Sequence, residues 1–390
     1  MKIVLVMTDP PLPFGNAAAR WYYVLLRELV ARGHEVVTLA ASSKATDEVE
    51  ARQLFPADKY NLRIYPTVYR SGFAAKLRSL RQPFAYIFSD EMKRDLEQEL
   101  ARGFDILHLE QLWCGWLGLE HTSRALLNVH HLQTIDLSEA PMVDWKSRWS
   151  RHQVNSTERH LLGKFRYIRS CSPRIVDMIR QHSPQSQIRV IPVGMDASLY
   201  RFIPPEKRTL EPVVTLVGSM GWYPSTSAGR RLITRLWPEI RRQVPDARLK
   251  IVGWSARSVL KEHLETPGLE VFENVADIQP YFEEANVFLY APARGSGMKI
   301  KILECMLFGV PVVTTSEGIE GLPAQDGVEA SVCEDDAGLI ARTVQLLRDP
   351  ERRERQRLAA RAMVELHCGP NATVSAIEAF YQQILRDQPG

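Results

Sequence analysis

Apolar residues along the 390-residue chain fall in two series of short runs that alternate with amphipathic stretches. The first series predicts a strand at 2–7, a helix at 17–31 and a strand at 35–40. The second series starts with the run PVVTLVGSMG at 212–221 and continues in the same way. Each opening is a βαβ unit, and such alternation predicts a parallel sheet wrapped by helices.

The same pattern predicts the remaining elements. Further strands are expected at 105–109, 125–130, 167–171, 188–192, 247–253, 269–272, 287–292, 311–315 and 330–333. Further helices are expected at about 88–102, 146–163 and 226–243. The predicted fold class is therefore α/β, with two doubly wound, Rossmann-like domains.

Length and composition agree with two domains. A chain with 45% hydrophobic residues and this length exceeds what one ordinary core accommodates. The first domain is predicted at 1–193 and the second at 212–370. The interdomain linker is placed at 194–211, which is rich in proline and polar residues and shows no clear periodicity. A last helix is expected at about 371–386.

The most informative stretch is 287–322, VFLYAPARGSGMKIKILECMLFGVPVVTTSEGIEGL, which predicts strand, glycine loop, helix and strand. A helix start directly after a strand offers backbone N–H groups and the positive end of the helix dipole, which together bind phosphate. The alternative is an ordinary βαβ unit whose lysines and glutamate lie on a solvated face. The candidate ligand-binding residues of this segment are Arg294, Ser296, Gly297, Met298, Lys299, Lys301 and Glu304.

This stretch resembles the nucleotide-sugar motif of glycosyltransferase family 4, whose members have the two-domain GT-B fold. The family pattern is a Glu, seven residues, a second Glu, a small apolar segment, Gly and Pro-Val-Val. Here Glu304 is the second Glu, followed by CMLFGVPVV, and Ser296 takes the position of the first. The resemblance implies two domains facing across a cleft and a ribose contact for Glu304. The departure at Ser296 falls on the residue that typically contacts the donor sugar.

A second departure lies in the loop GSMGWYP, 218–224, at the end of the first strand of the second domain. Many family members carry an Arg here and a Lys several residues later, which clamp the diphosphate. This chain has Ser219 instead, while Gly218 and Gly221 offer backbone donors. We expect the positive charge to come from Arg294, Lys299 or Lys301.

Three further loops follow predicted strands. In NVHHLQTID, 128–136, the resemblance points to His130, which would hydrogen-bond a sugar hydroxyl or hold the acceptor; His131 and a plain strand-end histidine are the alternatives. Gly15 matches a family glycine near the donor phosphate and the acceptor, and the alternative is a tight turn with Asn16 as a helix cap. The loop SEGIEGL resembles the family loop near the donor sugar, which implies that Glu317 or Glu320 binds sugar hydroxyls; the alternative is a solvated turn.

The sequence contains no Asp-x-Asp, no HExxH and no Cys/His cluster, so neither a metal nor another cofactor is expected. Helix dipoles, amides and basic side chains would then stabilise the leaving diphosphate. The resemblance implies transfer with retention of the anomeric configuration. No protein nucleophile is required, because an oxygen of the leaving phosphate can accept the proton of the acceptor.

Charge and composition limit the possible binding partners. The net charge is +3, and residues 1–193 contain 26 basic and 20 acidic residues. This basic excess is compatible with an anionic acceptor or membrane surface, and about equally with ordinary solvated faces. No dense basic stripe interleaved with aromatics points to nucleic acid. Aromatic residues at 113–149 and a basic-aromatic stretch at 73–88 fit acceptor or membrane contact, or simply core packing.

Five scattered cysteines and a first strand without signal-peptide character predict a cytoplasmic protein, with peripheral contact at the inner face of the membrane as a variant. The predicted function is a retaining, metal-independent glycosyltransferase that moves a sugar from a nucleoside-diphosphate sugar to a hydroxyl-bearing acceptor. The alternatives are a nucleotide-sugar 2-epimerase of the same fold, a NAD(P)-dependent oxidoreductase and a non-catalytic sugar-binding protein. Against the oxidoreductase, neither βαβ start has a full G-x-G-x-x-G.

Overall fold

The computed structural model describes residues 1–67, 79–208 and 211–388. The stretch at 73–88 lies partly outside these residues. The chain divides into two compact units. The first unit comprises Met1–Thr134, Met142–Met195 and Cys368–Gly390, and the second comprises Ile135–Pro141 and Asp196–His367.

The first unit contains a parallel sheet. Within the described residues its strands are β1 (Lys2–Met7), β2 (Glu35–Ser42), β3 (Asn61–Pro66), β4 (Ile106–Glu110), β5 (Ala125–Val129), β6 (Tyr167–Ser170) and β7 (Gln187–Val190). Their order is β3-β2-β1-β4-β5-β6-β7. Ile3 pairs with Val36 on one side and with Ile106 on the other. The central strands are buried because helices cover both faces of a parallel sheet.

The first α-helices of this unit are α1 (Ala17–Ala31), α2 (Ala45–Leu54), α3 (Asp90–Ala101), α5 (Trp145–Leu162) and α6 (Pro173–His182), while the short α4 (Gln133–Asp136) begins in the first unit and ends in the second. Three of them, α1, α3 and α5, begin at a residue whose side chain caps the first turn. The side chain of Asn16 caps α1 by accepting from the amide of Ala19 at 2.8 Å. Trp21, Tyr22 and Leu25 then bury one face of α1.

The second unit repeats the plan. Within the described residues its strands are β8 (Val213–Val217), β9 (Arg248–Gly253), β10 (Leu269–Glu273), β11 (Val287–Tyr290), β12 (Val312–Thr314) and β13 (Ser331–Val332). They form a parallel sheet in the order β10-β9-β8-β11-β12-β13. Val214 pairs with Leu249 on one side and with Val287 on the other. Both sheets thus have the doubly wound strand order.

The remaining helices follow the strands of the second sheet. They are α7 (Tyr223–Arg231), α8 (Trp237–Gln243), α9 (Ala256–Val259), α10 (Gln279–Glu283), α11 (Ile300–Phe308), α12 (Asp336–Arg348), α13 (Pro350–Cys368) and α14 (Pro370–Arg386). The single helix predicted at 226–243 is interrupted by a π-helical segment at Leu232–Leu236. Pro238 lies just beyond this segment and cannot donate a helical hydrogen bond, which accounts for the altered winding.

Helix α14 belongs to the first unit although it follows the second in sequence. It packs against α1, and Glu378 binds Arg32 at 2.6 Å and His34 at 2.7 Å. Tyr381 donates or accepts a hydrogen bond with Nδ1 of His108 in β4. The last helix therefore completes the layer on one face of the first sheet.

The predicted linker at 194–211 differs from the structure. Most of its described part belongs to the second unit, which begins at Asp196. Tyr200 and Ile203 are buried, and the ring of Phe202 lies 4.0 Å from the guanidinium carbon of Arg357 in α13. These apolar side chains hold the segment against the unit, a contact that its polar composition did not indicate.

Candidate functional site

The strand order of each sheet reverses at one position, between β1 and β4 in the first unit and between β8 and β11 in the second. In open parallel sheets, ligands bind beyond the carboxyl ends of the strands at such a reversal. The loops to inspect are therefore those after these four strands. They contain most of the residues that the sequence singled out.

In the second unit, the loop after β11 leads into α11, whose N-cap residue Lys299 makes no side-chain capping hydrogen bond. Gly297 has a φ of 70°, which a residue with a side chain rarely adopts. Lys299 folds back, and its Nζ donates to the carbonyl of Gly297 at 2.6 Å and to that of Ser296 at 3.2 Å. The glycine loop thus positions a helix start whose lysines lie close to its backbone.

Lys301 provides a cation at the reversal point of the second sheet. Its Nζ donates to Oγ of Ser225 at 2.6 Å and lies 4.6 Å from the ring centre of Tyr290. Burial lowers the pKa of Lys301 to about 7. The adjacent charge of Lys299 acts in the same direction, and the attraction of Glu304 opposes it. A half-buried cation at this position gains from an anionic ligand.

Gly218 has a different role from the one expected. Its amide donates to the carbonyl of Val252 at 2.9 Å, because the ladder between β8 and β9 extends past the strand end, so this amide is committed to the sheet. A side chain on Gly218 would collide with Nζ of Lys301. Gly218 therefore leaves room for the lysine, while Ser219, the next residue, is exposed.

Two amides of the glycine loop bind carboxylates of the same unit. Glu317 accepts from the amide of Gly295 at 3.1 Å. Asp136 accepts from the amide of Ser296 at 2.5 Å and from its hydroxyl at 2.9 Å. The sequence suggested that these amides would face a phosphate. Their carboxylate partners show that the loop attracts anions.

The other candidates of this unit are distributed as follows. Glu304 on α11 is 4% exposed, and Glu320 is 9% exposed. Met298 is also buried, beside the loop, whereas Arg294 is exposed. Burial of both glutamates shows that neither lies on a solvated face, which was one of the alternatives. Their contacts with a sugar or a nucleotide stay predictions.

In the first unit, the reversal point holds a carboxylate that the sequence reading missed. Glu110, the last residue of β4, is fully buried. Its Oε2 lies 2.7 Å from Nε2 of His130 and accepts from Nδ2 of Asn128 at 2.5 Å. Its Oε1 accepts from Nε1 of Trp21 at 3.0 Å and lies 3.0 Å from Nε2 of His108. We call these five residues the Glu110 network.

Electrostatics favour an ionised Glu110 beside a neutral His130. Burial alone would raise the pKa of Glu110, but the charge and hydrogen bond of His108, together with the hydrogen bond of His130, hold it below its usual range. Burial lowers the pKa of His130, and the hydrogen bond to Glu110 opposes this only in part. The buried guanidinium of Arg169 acts in the same direction as burial.

Gly15 lies in the other loop of this reversal point. Its φ of 86° explains the glycine, and no heavy atom lies within 4 Å of where a side chain would start. Asn16 caps α1 and donates from Nδ2 to Asp9 at 2.8 Å. The geometry thus contains the turn and cap that were the alternative interpretation of this loop, and a donor contact for Gly15 stays a prediction.

The sequence reading missed five further participants, namely Trp21, His108, Asn128, Asp136 and Ser225. Glu110 had a usable signal, since it is a charged residue at the end of the apolar run ILHL. Asp136 had none, because its partner Ser296 lies 160 residues away. Ser225 likewise meets Lys301 only through the fold.

Two further observations concern ions and membranes. The part of the chain that the structure describes has no group of three or more His, Cys, Asp or Glu residues that could hold a metal. Within the same residues, no helix combines the length and apolar character needed to cross a bilayer. All five cysteines are free thiols in the described structure.

Comparison with known families and structures identifies the class. A family model described as Glycosyltransferase Family 4 matches residues 18–199, and one described as Glycosyl transferases group 1 matches residues 211–349. A search of curated protein sequences finds no match.

Solved structures give the same fold. Sucrose-phosphate synthase from Thermosynechococcus elongatus is similar with a TM-score of 0.70 and 16% identity, covering 100% of both chains. HepE from Anabaena, in complex with UDP and glucose, has a TM-score of 0.69 and 13% identity, covering 98% of this chain and all of HepE. A point mutant of TarM from S. aureus, in a complex that contains UDP, has a TM-score of 0.68 and 9% identity, over 98% and 100%.

The fold and its two loop clusters define a glycosyltransferase with the GT-B fold, which confirms the predicted fold class. Within that class, the chain matches the description Glycosyltransferase Family 4 over residues 18–199 and the description Glycosyl transferases group 1 over residues 211–349.

Proposed function

We propose that this glycosyltransferase transfers a sugar from a nucleoside-diphosphate sugar, with the donor bound by the second unit. The observation that carries the proposal is the half-buried Lys301, whose ammonium lies beside Gly218 and Ser225 at the reversal point of the sheet. The adjoining glycine loop already binds two carboxylates through its amides. HepE, a structural relative, has been solved with UDP-glucose.

The leaving diphosphate would be stabilised by the protein itself. Lys301 and the start of α11 supply positive potential, and Lys299 adds a second cation next to the loop. Lys301 thereby takes the place of the missing Arg and Lys clamp. Glu304 is proposed to contact the ribose and Glu320 the sugar. The reaction then needs no divalent metal, and activity should survive EDTA.

Transfer is proposed to retain the anomeric configuration. An oxygen of the departing phosphate would accept the proton of the acceptor hydroxyl on the same face of the sugar. His130 is proposed as the residue of the first unit that hydrogen-bonds a sugar hydroxyl during this step. Its side chain is 12% exposed, so part of the ring is accessible to a substrate.

The acceptor is proposed to bind the first unit, and one surface there favours a lipid-linked acceptor at a membrane. Four large apolar residues in and just before the first turns of α5 are exposed: Met142 (47%), Val143 (85%), Trp145 (72%) and Trp149 (53%). Basic residues alternate with them: Lys146, Arg148 and Arg151. Apolar and aromatic side chains beside Lys and Arg suit the interface of an anionic membrane.

Vesicle flotation tests this surface. The protein should float with vesicles that contain phosphatidylglycerol and remain below with pure phosphatidylcholine. The variant Trp145→Ala/Trp149→Ala should lose the binding, whereas the buried-face variant Val154→Ala serves as a control for nonspecific destabilisation. Absence of flotation with anionic vesicles would remove the membrane from the proposal and leave a soluble acceptor.

A donor screen tests the main proposal. Nucleoside-diphosphate release is measured across UDP, GDP and TDP sugars, with and without EDTA, and the anomeric configuration of any product or hydrolysed sugar is followed by NMR. Release of a diphosphate with retention is the expected result. Thermal stabilisation by NAD and not by any nucleoside diphosphate would favour the oxidoreductase instead. Epimerised nucleotide sugar formed without net release of the nucleoside diphosphate would favour the 2-epimerase.

A further inference from the structure

The four contacts of the Glu110 carboxylate are all with nitrogen atoms. Trp21 and Asn128 donate to it, and ring nitrogens of His108 and His130 lie at 3.0 and 2.7 Å. An ionised carboxylate accepts hydrogen bonds and donates none. The Nε2 atom of His130 must therefore carry a proton to make its contact with Oε2. Nε2 of His130 and Nδ2 of Asn128 lie 3.1 Å apart because both donate to the same oxygen, Oε2 of Glu110.

A neutral imidazole with a proton on Nε2 has its lone pair on Nδ1. Burial favours the neutral ring, as described above. Besides Glu110, which opposes this shift, the charged or titratable neighbours facing the ring from other elements are Arg169 and Tyr22, and His131 lies next to it in the same loop. The ring of Tyr22 packs against that of His130 at 6.4 Å between centroids. The thiol of Cys171 donates to the carbonyl of His130 at 2.9 Å and so anchors its backbone.

Exposure decides which atom of the Glu110 network can act on a ligand. Trp21, His108, Glu110 and Asn128 are all fully buried, whereas His130 retains 12% of its side-chain exposure. A substrate can therefore reach this network only through the His130 ring. His108, the buried histidine of the network, is held in place as well, because Tyr381 forms a hydrogen bond with its Nδ1.

We propose that Glu110 is the positioning residue that fixes His130 as the Nε2–H tautomer, so that Nδ1 accepts a hydrogen bond from a hydroxyl of the sugar substrates. The role in transfer rests on the proposed function, while the tautomer itself is a property of the free protein. Glu110 acts through His130 and does not touch the substrate. Removing its charge should therefore change which ring atom is protonated.

The variant Glu110→Gln provides a sharp test because its shape is nearly that of the carboxylate. Nε1 of Trp21 can only donate, so the amide oxygen of the new side chain has to face Trp21. The amide nitrogen then faces Asn128 and His130. Asn128 can adapt by rotating its amide, since its buried Oδ1 has no partner among the described residues. His130 can adapt only by offering a lone pair at Nε2, which moves its proton to Nδ1.

The tautomer is measured by nitrogen-15 NMR of histidine-labelled protein without ligand, and the variant His130→Gln assigns the His130 signal. We expect a protonated Nε2 in the natural protein and a protonated Nδ1 in Glu110→Gln. With the donor identified by the screen, Glu110→Gln should lower kcat about 100-fold and leave the donor KM within about twofold. The control Glu99→Gln alters a buried carboxylate that pairs with Arg63 and should change neither readout.

The results separate the two proposals. A natural protein with the proton on Nδ1 would overturn the role of Glu110, and this measurement requires no variant to fold. An unchanged tautomer in a folded Glu110→Gln would overturn it too. If both tautomers are as expected and no sugar nucleotide is consumed, the positioning role of Glu110 stands and the nucleotide-sugar function fails.

Discussion

The two reversal points of this protein share one strand topology and differ in what they place there. In the first unit, a buried carboxylate gathers ring nitrogens and one side-chain amide around itself, and one histidine reaches the surface. In the second, the central ionic group is the ammonium of Lys301, surrounded by a glycine loop and a helix start. The topology determines the place of the site, and the side chains decide its chemistry.

The difference suits the two halves of a transfer reaction. A cation and backbone amides at a helix start stabilise a diphosphate that gains charge as it leaves. A histidine of fixed tautomer orients a hydroxyl through a hydrogen bond, whose strength depends on its geometry more than on a charge of the ring. Substitutions in the first unit should therefore act mainly on kcat, and those in the second on donor affinity.

The largest effect is expected at His130. His130→Ala should lower kcat about 100-fold with donor affinity within about twofold, because the lost hydrogen bond belongs to the transfer step. Steady-state kinetics and calorimetry with the nucleoside diphosphate measure the two quantities. The adjacent His131→Ala is the matched control and should change kcat less than about threefold. A large loss of donor affinity in His130→Ala would break the division between the units.

Lys301→Met should weaken nucleoside-diphosphate binding about 30-fold, since a charge-assisted contact in a half-buried site is lost while the apolar stem is kept. Titration calorimetry provides the dissociation constant. Lys250→Met removes another lysine with little exposure from the same unit, one paired with Glu284, and should leave binding unchanged. Equal binding by Lys301→Met and the natural protein would instead assign the charge to Lys299 or Arg294.

Ser296→Glu should weaken donor binding about tenfold, because the new carboxylate would lie beside that of Asp136. Combining it with Asp136→Ser should recover most of the loss, so the two substitutions would be strongly non-additive in a double-mutant cycle. This result would mean that Asp136 occupies the place of the carboxylate that family members carry at position 296. Additive effects would show that the two positions act separately.

The smallest effect concerns pH and stability. The folded protein lowers the pKa of Lys301 from 10.5 to about 7, so between these values the unfolded chain binds more protons. The free energy of unfolding should therefore rise with pH over this range, by less than about 1 kcal/mol per pH unit from this group. Urea unfolding at pH 7 and pH 9 should show a shallower rise in Lys301→Met. Equal slopes would mean that the ammonium is better solvated than its contacts indicate.

Much of the fold could be predicted because its signals are local. The runs at 2–7 and 17–31 have clean apolar periodicity and a cap, and β1 and α1 have those bounds. Strand β3 was missed because NLRIYP mixes polar and apolar residues at an edge of the sheet. Predicting β3 would have required knowing that this segment pairs with β2.

The candidate site was less predictable. Lys301 and His130 were found because each follows a strand and fits a family motif. Their partners were not, since Trp21 and Glu110 are 89 residues apart and Lys301 and Ser225 are 76 apart. Such contacts are created by the strand order, which local periodicity does not encode.

The position of α14 in the first unit has a consequence for how the protein is made. During synthesis, β1 to β7 emerge first, yet the helix that covers them comes last, and His108 meets Tyr381 across 273 residues. The amino-terminal half of the nascent chain must therefore wait, with one face of its sheet uncovered, until the carboxyl terminus leaves the ribosome. A chain shortened before Pro370 would keep the residues of the second sheet. It would lose Tyr381, which forms the hydrogen bond with His108.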